Sequence, residues 1–321
     1  MMRYTFSLFF NGAKVIGNSK VVHDCDVFFI RLRSKRKANS ICILPFSQSR
    51  INLPEKQAMV TELKISVLSD KQALCGFGAE HGLSFLIEAD RQMLFDTGAS
   101  DLFMRNAAAM GIDLDSVDTV VLSHGHYDHG NGLQYIEGKT IVMHPGAFAQ
   151  RISGRSERDI SIAIDRQQVE NRNKIIETKE PLWLTNNMVY LGEIERVIPF
   201  EQECSTPFHF ANGSPDTVAD DSALAVNTGK GLVVISGCAH AGICNIVEQA
   251  RRITQCDNVF GVIGGFHLTA IDNRLSATID YLKNIGCEIV MPSHCTSDIV
   301  IGEIHKHFKG ETVKTGMVIR F

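Results

Sequence analysis

Long hydrophobic runs are missing from this sequence of 321 residues. No stretch contains the about 18 consecutive apolar residues of a transmembrane helix, which excludes such a helix. The apolar stretch 6–10 is shorter than the core of a usual signal peptide, and no clear small-residue cleavage site follows it, so secretion is disfavoured. The sequence also lacks a P-loop, a Gly-x-Gly-x-x-Gly element and Ser-His-Asp triad spacing. It therefore supports neither a nucleoside-triphosphate nor a dinucleotide cofactor.

Cys-x-x-Cys pairs are missing as well. The nine cysteines are odd in number and irregularly spaced, which argues against a disulfide framework. Reduced thiols in a cytoplasmic protein are the better interpretation.

An excess of charge of one sign is missing from the whole chain, whose formal net charge is −4. This average hides an asymmetry between two segments. Residues 1–58 contain ten Lys and Arg against three Asp and Glu, a balance of +7, whereas residues 59–321 contain 22 against 33, a balance of −11. Because a nucleic-acid backbone requires a basic track, the acidic segment disfavours nucleic-acid binding.

The basic segment 1–58 admits two interpretations. Its cluster of Lys and Arg at 31–37 is typical of an arm that binds nucleic acid or an anionic membrane. Alternatively, the segment is an extension outside the fold, included through a mis-assigned start. We favour the second interpretation because Met59 opens a well-patterned strand at 63–68. The expected folded domain therefore covers residues 59–321.

Strand and helix patterns alternate regularly after residue 59. Strands are predicted at 63–68, 83–88, 92–95, 119–123, 140–143, 223–226, 232–236, 259–263 and 288–291. Helices are predicted at 101–110, 243–254, 273–284 and 299–307, with a further helix within 166–178. These patterns favour a layered α/β body in which helices cover sheets. The irregular segment 145–220 is expected to be an insert that caps the substrate.

Histidine is concentrated at the end of the predicted strand 119–123. His124, His126, Asp128 and His129 follow one another within six residues. Imidazole nitrogens and carboxylate oxygens are ligands that Zn²⁺ accepts, and a turn at a strand end can direct them into one pocket. The intervening glycines permit the tight backbone path that such a turn requires. This pattern predicts a metal site.

The motif His124-x-His126-x-Asp128-His129 resembles the signature of the metallo-β-lactamase superfamily. The resemblance implies a four-layer αββα sandwich over residues 59–321, with a one- or two-metal site at one edge. It also implies that His124 and His126 share one metal and that Asp128 and His129 help to hold a second. Asp96 matches the residue that supports the metal loop, although it is alternatively a turn residue before Gly98.

Further ligands are expected after later strands. His240, His267 and His294 each follow an apolar strand and lie near Gly or Pro, so each can face the same sheet edge as the first motif. His240 and His294 are the expected ligands, and His267 is expected as a ligand or a substrate contact. We assign catalytic roles to Asp128 and His240.

Four more side chains are candidates for the pocket, each with an open alternative. Cys238 lies where many superfamily members place a bridging Asp, so it either binds metal or is an inert buried thiol. His81 lies near an early turn and can line the pocket. Asp221 either contacts a metal-bound group or caps a strand. Trp183, the only Trp of the sequence, either stacks on a planar substrate ring or packs within the cap.

Five motifs narrow the resemblance to one branch of the superfamily. They occupy residues 80–84, 124–130, 237–243, 264–268 and 294–296. The branch includes 7,8-dihydropterin-6-methyl-4-(β-D-ribofuranosyl)-aminobenzene-5′-phosphate synthases and proteins described only as metal-dependent hydrolases. The sequence departs from the branch pattern at Ala239 and Ser297, and neither change removes an expected ligand.

The resemblance implies a cofactor of two divalent metal ions, with zinc first and iron or manganese as alternatives. The default chemistry of the fold is hydrolysis of a small ester, lactone or phosphodiester, because bound metals lower the pKa of water. The synthase branch implies instead a transferase, in which pyrophosphate leaves as an aromatic nucleophile attacks a pterin methylene. A ligand-sensing module without turnover is a further alternative. The expected partner is a phosphorylated or heteroaromatic small molecule, with no membrane partner, and a homo-oligomer is left open.

Overall fold

The computed structural model describes Val60, residues 62–202 and residues 207–321. The predicted basic extension 1–58 lies outside these residues. Within the described residues, no helix is long and apolar enough to cross a membrane.

Sixteen strands and six α-helices follow one another along the described chain. The strands are β1 (Lys64–Ser69), β2 (Ser84–Glu88), β3 (Gln92–Phe95), β4 (Thr119–Val121), β5 (Thr140–Met143), β6 (Arg151–Ser153), β7 (Arg158–Asp159), β8 (Lys174–Glu177), β9 (Leu182–Trp183), β10 (Met188–Tyr190), β11 (Phe208–Phe210), β12 (Ala223–Thr228), β13 (Gly231–Ser236), β14 (Val259–Gly265), β15 (Ile289–Ser293) and β16 (Val318–Arg320). The helices are α1 (Leu102–Ala109), α2 (Tyr127–Gly130), α3 (Arg166–Arg172), α4 (Ile243–Thr254), α5 (Asn273–Asn284) and α6 (Asp298–Ile304).

Two large sheets and one small sheet contain these strands. The first sheet has seven strands in the order β16-β1-β2-β3-β4-β5-β8, and β3, β4, β5 and β8 run parallel. The second has six strands in the order β15-β14-β13-β12-β10-β9, and β13, β14 and β15 run parallel. The third sheet has three antiparallel strands in the order β11-β6-β7.

Alternating side chains of the strands place the two large sheets face to face. In β3, Met93 and Phe95 lie in the cluster between the sheets, whereas Leu94 lies in the cluster on the outer face with Phe103 of α1. In β13, Val233 and Ile235 likewise lie between the sheets, while Leu232 and Val234 pack in the outer cluster beneath α4, α5 and α6. This period of two is what a strand buried on both faces produces. The predicted αββα sandwich is confirmed.

The parallel strands determine where the candidate site lies. The chain segment after β3 and the segment after β4 leave the first sheet at the same edge, because these strands are parallel neighbours. The segments after β13, β14 and β15 leave the second sheet at one edge for the same reason. Residues 96, 124–129, 238–240, 267 and 294 all lie in these five segments.

The segment 145–220 is more structured than its sequence indicates. Residues 174–190 supply β8 to the first sheet and β9 and β10 to the second, so they belong to the sandwich itself. The helix predicted within 166–178 ends at Arg172, and β8 begins two residues later. Among the described strands, only β6, β7 and β11 form a sheet apart from the sandwich. Whether this small sheet caps a substrate stays a prediction.

Candidate metal centre

Four strands end in a left-handed turn that directs a side chain toward the centre. Asp96 after β3, Ala239 after β13, His267 after β14 and His294 after β15 have φ values of 56°, 54°, 50° and 50°. Residues other than Gly rarely adopt this conformation, and such strained positions concentrate at functional sites. The turns place Asp96, His240 and His294 at buried positions.

Asp96 supports the histidine loop through three contacts. Its Oδ1 accepts a hydrogen bond from the Ser123 backbone N–H at 2.7 Å, and its Oδ2 accepts one from Ser123 Oγ at 2.7 Å. The same Oδ2 lies 2.7 Å from His129 Nδ1. Since Nδ1 is engaged in this way, His129 Nε2 faces the other side chains of the centre. A carboxylate that orients a histidine from behind is typical of metal sites.

The imidazoles of the loop lie close to donors from the second sheet. His129 Nε2 lies 3.2 Å from Cys238 Sγ and 3.1 Å from His294 Nε2. Asp128 Oδ2 lies 3.2 Å from His294 Nε2 and 3.2 Å from His81 Nε2. On the other side of the loop, His124 Nε2 and His126 Nδ1 are 3.0 Å apart.

These donors fall into overlapping groups of three. Within each group, the ligand atoms lie within 4.8 Å of one another. One group contains His124, His126 and His240, and another contains His81, Asp128 and His294. Cys238 belongs to two further groups, one with His124 and His129 and one with His294 and Cys295. The structure thus brings together all six side chains predicted as ligands, together with His81 and Cys238.

Burial keeps most of these imidazoles neutral. It lowers the pKa of His126 to about 3 and that of His294 to about 4, and it lowers the pKa of His124 and His240 well below the usual value. A neutral imidazole has the free lone pair that a metal requires. His129 is the exception: burial would lower its pKa, but the Asp96 and Asp128 carboxylates raise it to about 9, so a metal that binds Nε2 must displace a proton.

Two further observations show that the residues fit a metal. Within the described part of the chain, the buried atoms His126 Nε2 and His294 Nδ1 have no hydrogen-bond partner. Ligands at about 2.1 Å from a tetrahedral zinc ion lie about 3.4 Å apart. The contacts of 3.0 to 3.2 Å between donors of the cluster are close to this spacing. Nitrogen, oxygen and sulfur donors at such distances can hold one or two divalent ions.

A buried ion-pair network behind the loop was not predicted. Arg151 of β6 is bonded through Nε to Asp216 at 2.8 Å and through Nη2 to Asp220 at 2.5 Å. Asp220 Oδ2 in turn accepts a hydrogen bond from the Gly125 backbone N–H at 2.8 Å. A Cβ on Gly125 would lie 1.7 Å from the carbonyl oxygen of Ala147, so only glycine fits there. Nothing in the pattern around Arg151 indicates that this arginine is buried.

Aromatic and imidazole side chains border the centre on the side of the small sheet. The ring of Phe208 lies 5.1 Å from His126, 5.5 Å from His240 and 6.4 Å from His267. The ring of His267 lies 4.5 Å from that of His240, while His267 belongs to none of the donor groups found among the described residues. Phe208 was not singled out from the sequence, because a three-residue strand carries no recognisable pattern.

The last two predicted site residues lie behind or away from the cluster. Asp221 is buried, and its Oδ2 accepts a hydrogen bond from the Ala241 backbone N–H at 2.8 Å, so it supports the loop of His240. Burial raises the pKa of Asp221 to about 7. Trp183 packs against the apolar cluster on the outer face of the second sheet, so it belongs to the sandwich rather than to a separate cap.

The αββα fold and the cluster of metal ligands at its edge are those of a metalloenzyme superfamily, and a comparison with known families identifies the same superfamily. Residues 77–147 match the family model described as the metallo-beta-lactamase superfamily. The chain belongs to this superfamily.

Two proteins and one crystal structure are similar to this chain over most of its length. The chain is 32% identical to the 7,8-dihydropterin-6-methyl-4-(beta-D-ribofuranosyl)-aminobenzene-5′-phosphate synthase of Methanocaldococcus jannaschii, over 82% of this chain and 98% of that protein. An uncharacterised protein of the same organism is 34% identical, over 72% of this chain and 90% of the relative. A crystal structure described as a metal-dependent hydrolase of the beta-lactamase superfamily superposes with a TM-score of 0.71 at 33% identity, covering 80% of this chain and 98% of that one.

Proposed function

We propose that the protein is a two-metal enzyme that joins an aromatic phosphate to a pterin, with pyrophosphate as the leaving group. The observation that carries the proposal is the set of nine donor side chains gathered at the centre, in a chain similar to a synthase over 82% of its own length. Zinc is the first choice of metal, since the donors are mainly imidazoles. His124, His126 and His240 would hold one ion, and Asp128, His129 and His294 the other.

The bound metals would neutralise the charge that develops on the departing pyrophosphate. The side chains of the protein keep the centre in place for this role. Asp96 fixes the orientation of His129, and Asp221 supports the loop of His240. Burial raises the pKa of Asp128, but the charge of His129 and the hydrogen bonds with His294 and His81 lower it by more. The pKa of this carboxyl group is therefore well below its usual value. Asp128 therefore supplies a negative charge.

The surroundings of His267 suit an anionic aromatic substrate. Burial lowers the pKa of His267, and the positive charges of Arg274 and Arg155 lower it further. The buried Nε of Arg274 has no hydrogen-bond partner among the described residues, although the charge of Arg274 also acts to lower the pKa of the buried Glu201. Phe208 adds an apolar ring whose centre lies 6.4 Å from that of His267. A phosphate could be bound by the arginines while a planar ring lies against Phe208.

Hydrolysis of a small phosphodiester or ester is the second candidate, and one observation favours it. The side chain of His81 is 59% exposed, although its Nε2 is bonded to the buried Asp128. Water therefore reaches the edge of the donor cluster. An enzyme that transfers a reactive methylene group must exclude water during the reaction.

The two candidates are separated by one assay on metal-loaded protein. A 7,8-dihydropterin carrying a 6-methylene pyrophosphate is mixed with 4-(β-D-ribofuranosyl)-aminobenzene 5′-phosphate, and pyrophosphate release is followed. In the transfer, the bond from the methylene carbon to the pyrophosphate oxygen breaks as the bond to the aromatic nucleophile forms. Release that depends on both compounds supports the synthase. Release without the second compound, or turnover of a phosphodiester panel instead, supports the hydrolase, and a metal-loaded protein inert to all of them contradicts both.

A further inference from the structure

Two thiols lie at the metal centre. Cys238, 3% exposed, follows β13, and the half-buried Cys295 follows β15. The donor atoms of Cys238, Cys295 and His294 all lie within 4.8 Å of one another. Cys238 Sγ also lies 3.2 Å from His129 Nε2. Both sulfurs are thus at ligand spacing from imidazoles of the centre.

Contacts around Cys295 hold its sulfur at this position. The His267 backbone N–H donates to Cys295 Sγ at 3.3 Å. Gly265 leaves the necessary space, because a Cβ on this residue would lie 2.7 Å from Cys295 Sγ. On the other side, the Cys295 thiol donates to the carbonyl oxygen of Cys238 at 3.6 Å.

We propose that Cys295 is a metal ligand. Together with Cys238 and His294, it forms a metal site with both sulfur and nitrogen ligands. The inference rests on the proposed two-metal function and deepens it by stating which metals the site selects. Thiolate ligands favour zinc, cobalt and iron over manganese and magnesium, which prefer oxygen. Cys238 belongs both to the group with His124 and His129 and to the group with His294. Cys295 belongs only to the group with Cys238 and His294.

The other cysteines of the described chain provide matched controls. Cys244 and Cys287 are buried, Cys256 is half-buried and Cys75 is exposed, and none of them belongs to a donor group found among the described residues. Cys256 is the closest match to Cys295 in exposure. A Cys256→Ser variant therefore removes one thiol without touching the centre.

The test uses the full chain loaded with Co²⁺, which gives near-ultraviolet charge-transfer absorption when a thiolate binds it. The wild type should show this band. Cys295→Ser should lose part of the band while still binding cobalt through its imidazoles, and Cys256→Ser should retain all of it. We also expect Cys295→Ser to bind Zn²⁺ at least about tenfold more weakly, with a smaller loss for Mn²⁺. A cobalt-loaded wild type without the band, or a band unchanged in Cys295→Ser, overturns the inference.

A second measurement needs no variant. The metal-free and zinc-loaded wild-type proteins are alkylated with iodoacetamide, and each thiol is mapped by mass spectrometry. Zinc should protect Cys295 at least about tenfold more than Cys256, because a coordinated thiolate is a poor nucleophile. Equal protection of the two residues contradicts the inference. If cobalt and zinc bind stoichiometrically but neither signal appears, the inference fails and the two-metal function stands. If neither metal binds, the proposed function itself fails.

Discussion

Asp96 shows, at the residue scale, how one side chain behind a metal centre positions the ligands in front of it. Its two carboxylate oxygens engage Ser123 and His129. In an Asp96→Asn variant, an amide nitrogen replaces one of these oxygens and cannot accept a hydrogen bond. We expect metal affinity to fall about 10- to 100-fold, measured by competition with a chromophoric chelator. Asp101→Asn, which changes an exposed carboxylate paired with Arg105, should leave affinity unchanged. An Asp96→Asn affinity equal to that of the wild type would show that the contact is not needed.

Among the described glycines, Gly125 leaves the least room for an added side chain. In Gly125→Ala the new Cβ would lie 1.7 Å from the Ala147 carbonyl oxygen. Because backbone must shift to relieve this contact, the free energy of unfolding should fall by at least about 2 kcal/mol in urea titrations. Gly302→Ala is the control, since its Cβ meets no atom within 4 Å and alanine favours the helix α6. Equal stability of the two variants would contradict the packing described.

The residues of the centre differ in how far sequence could predict them. His124, His126 and His129 were found because they cluster after an apolar strand and match a superfamily motif, and His240 and His294 because each follows a later apolar strand. Arg151, Phe208 and Cys295 were not assigned to the site. Their contacts join segments far apart in the chain, such as Arg151 with Asp220, and no local spacing records such a contact.

At the scale of elements, the small sheet of β6, β7 and β11 is joined to the sandwich by a buried arginine. Arg151→Met would remove the cation between two buried carboxylates, Asp216 and Asp220. The loss of one partner from a buried ion pair costs about 3–5 kcal/mol, so the free energy of unfolding should fall by that amount. Metal affinity should fall as well, because Asp220 also holds the Gly125 backbone.

Arg166→Met supplies the comparison for this buried pair. Arg166 forms ion pairs with Glu170 and Glu177 at the surface of the protein. Exposed pairs contribute less than about 1 kcal/mol, so its unfolding midpoint should stay near that of the wild type. Thermal and urea unfolding of both variants decides the point. If the two substitutions cost the same, Arg151 does not anchor the small sheet.

Elements were predictable where their pattern was long and regular. The helices α4 and α5 have the bounds expected from the sequence, and β3 and β5 do as well. The strands between residues 151 and 210 were missed, with two to four residues each. Such short segments complete too little of a period to be recognised, and tertiary pairing decides their structure.

For the whole molecule, the superfamily and the αββα architecture were predictable because a single motif after β4 carries both. The division into an extension of residues 1–58 and a domain of residues 59–321 stays a prediction. Metal identity could not be derived, because imidazole accepts several divalent ions and the possible thiolate ligands meet only in the folded chain.

The metal content of the purified protein shows whether the described cluster holds two metal ions. Purified full-length protein is stripped with a chelator, reloaded with Zn²⁺, passed over a desalting column and measured by plasma mass spectrometry. We expect two equivalents per chain, about one of which is lost in His126→Ala, since His126 belongs only to the donor group with His124 and His240. One equivalent or less in the wild-type protein would contradict a two-metal centre.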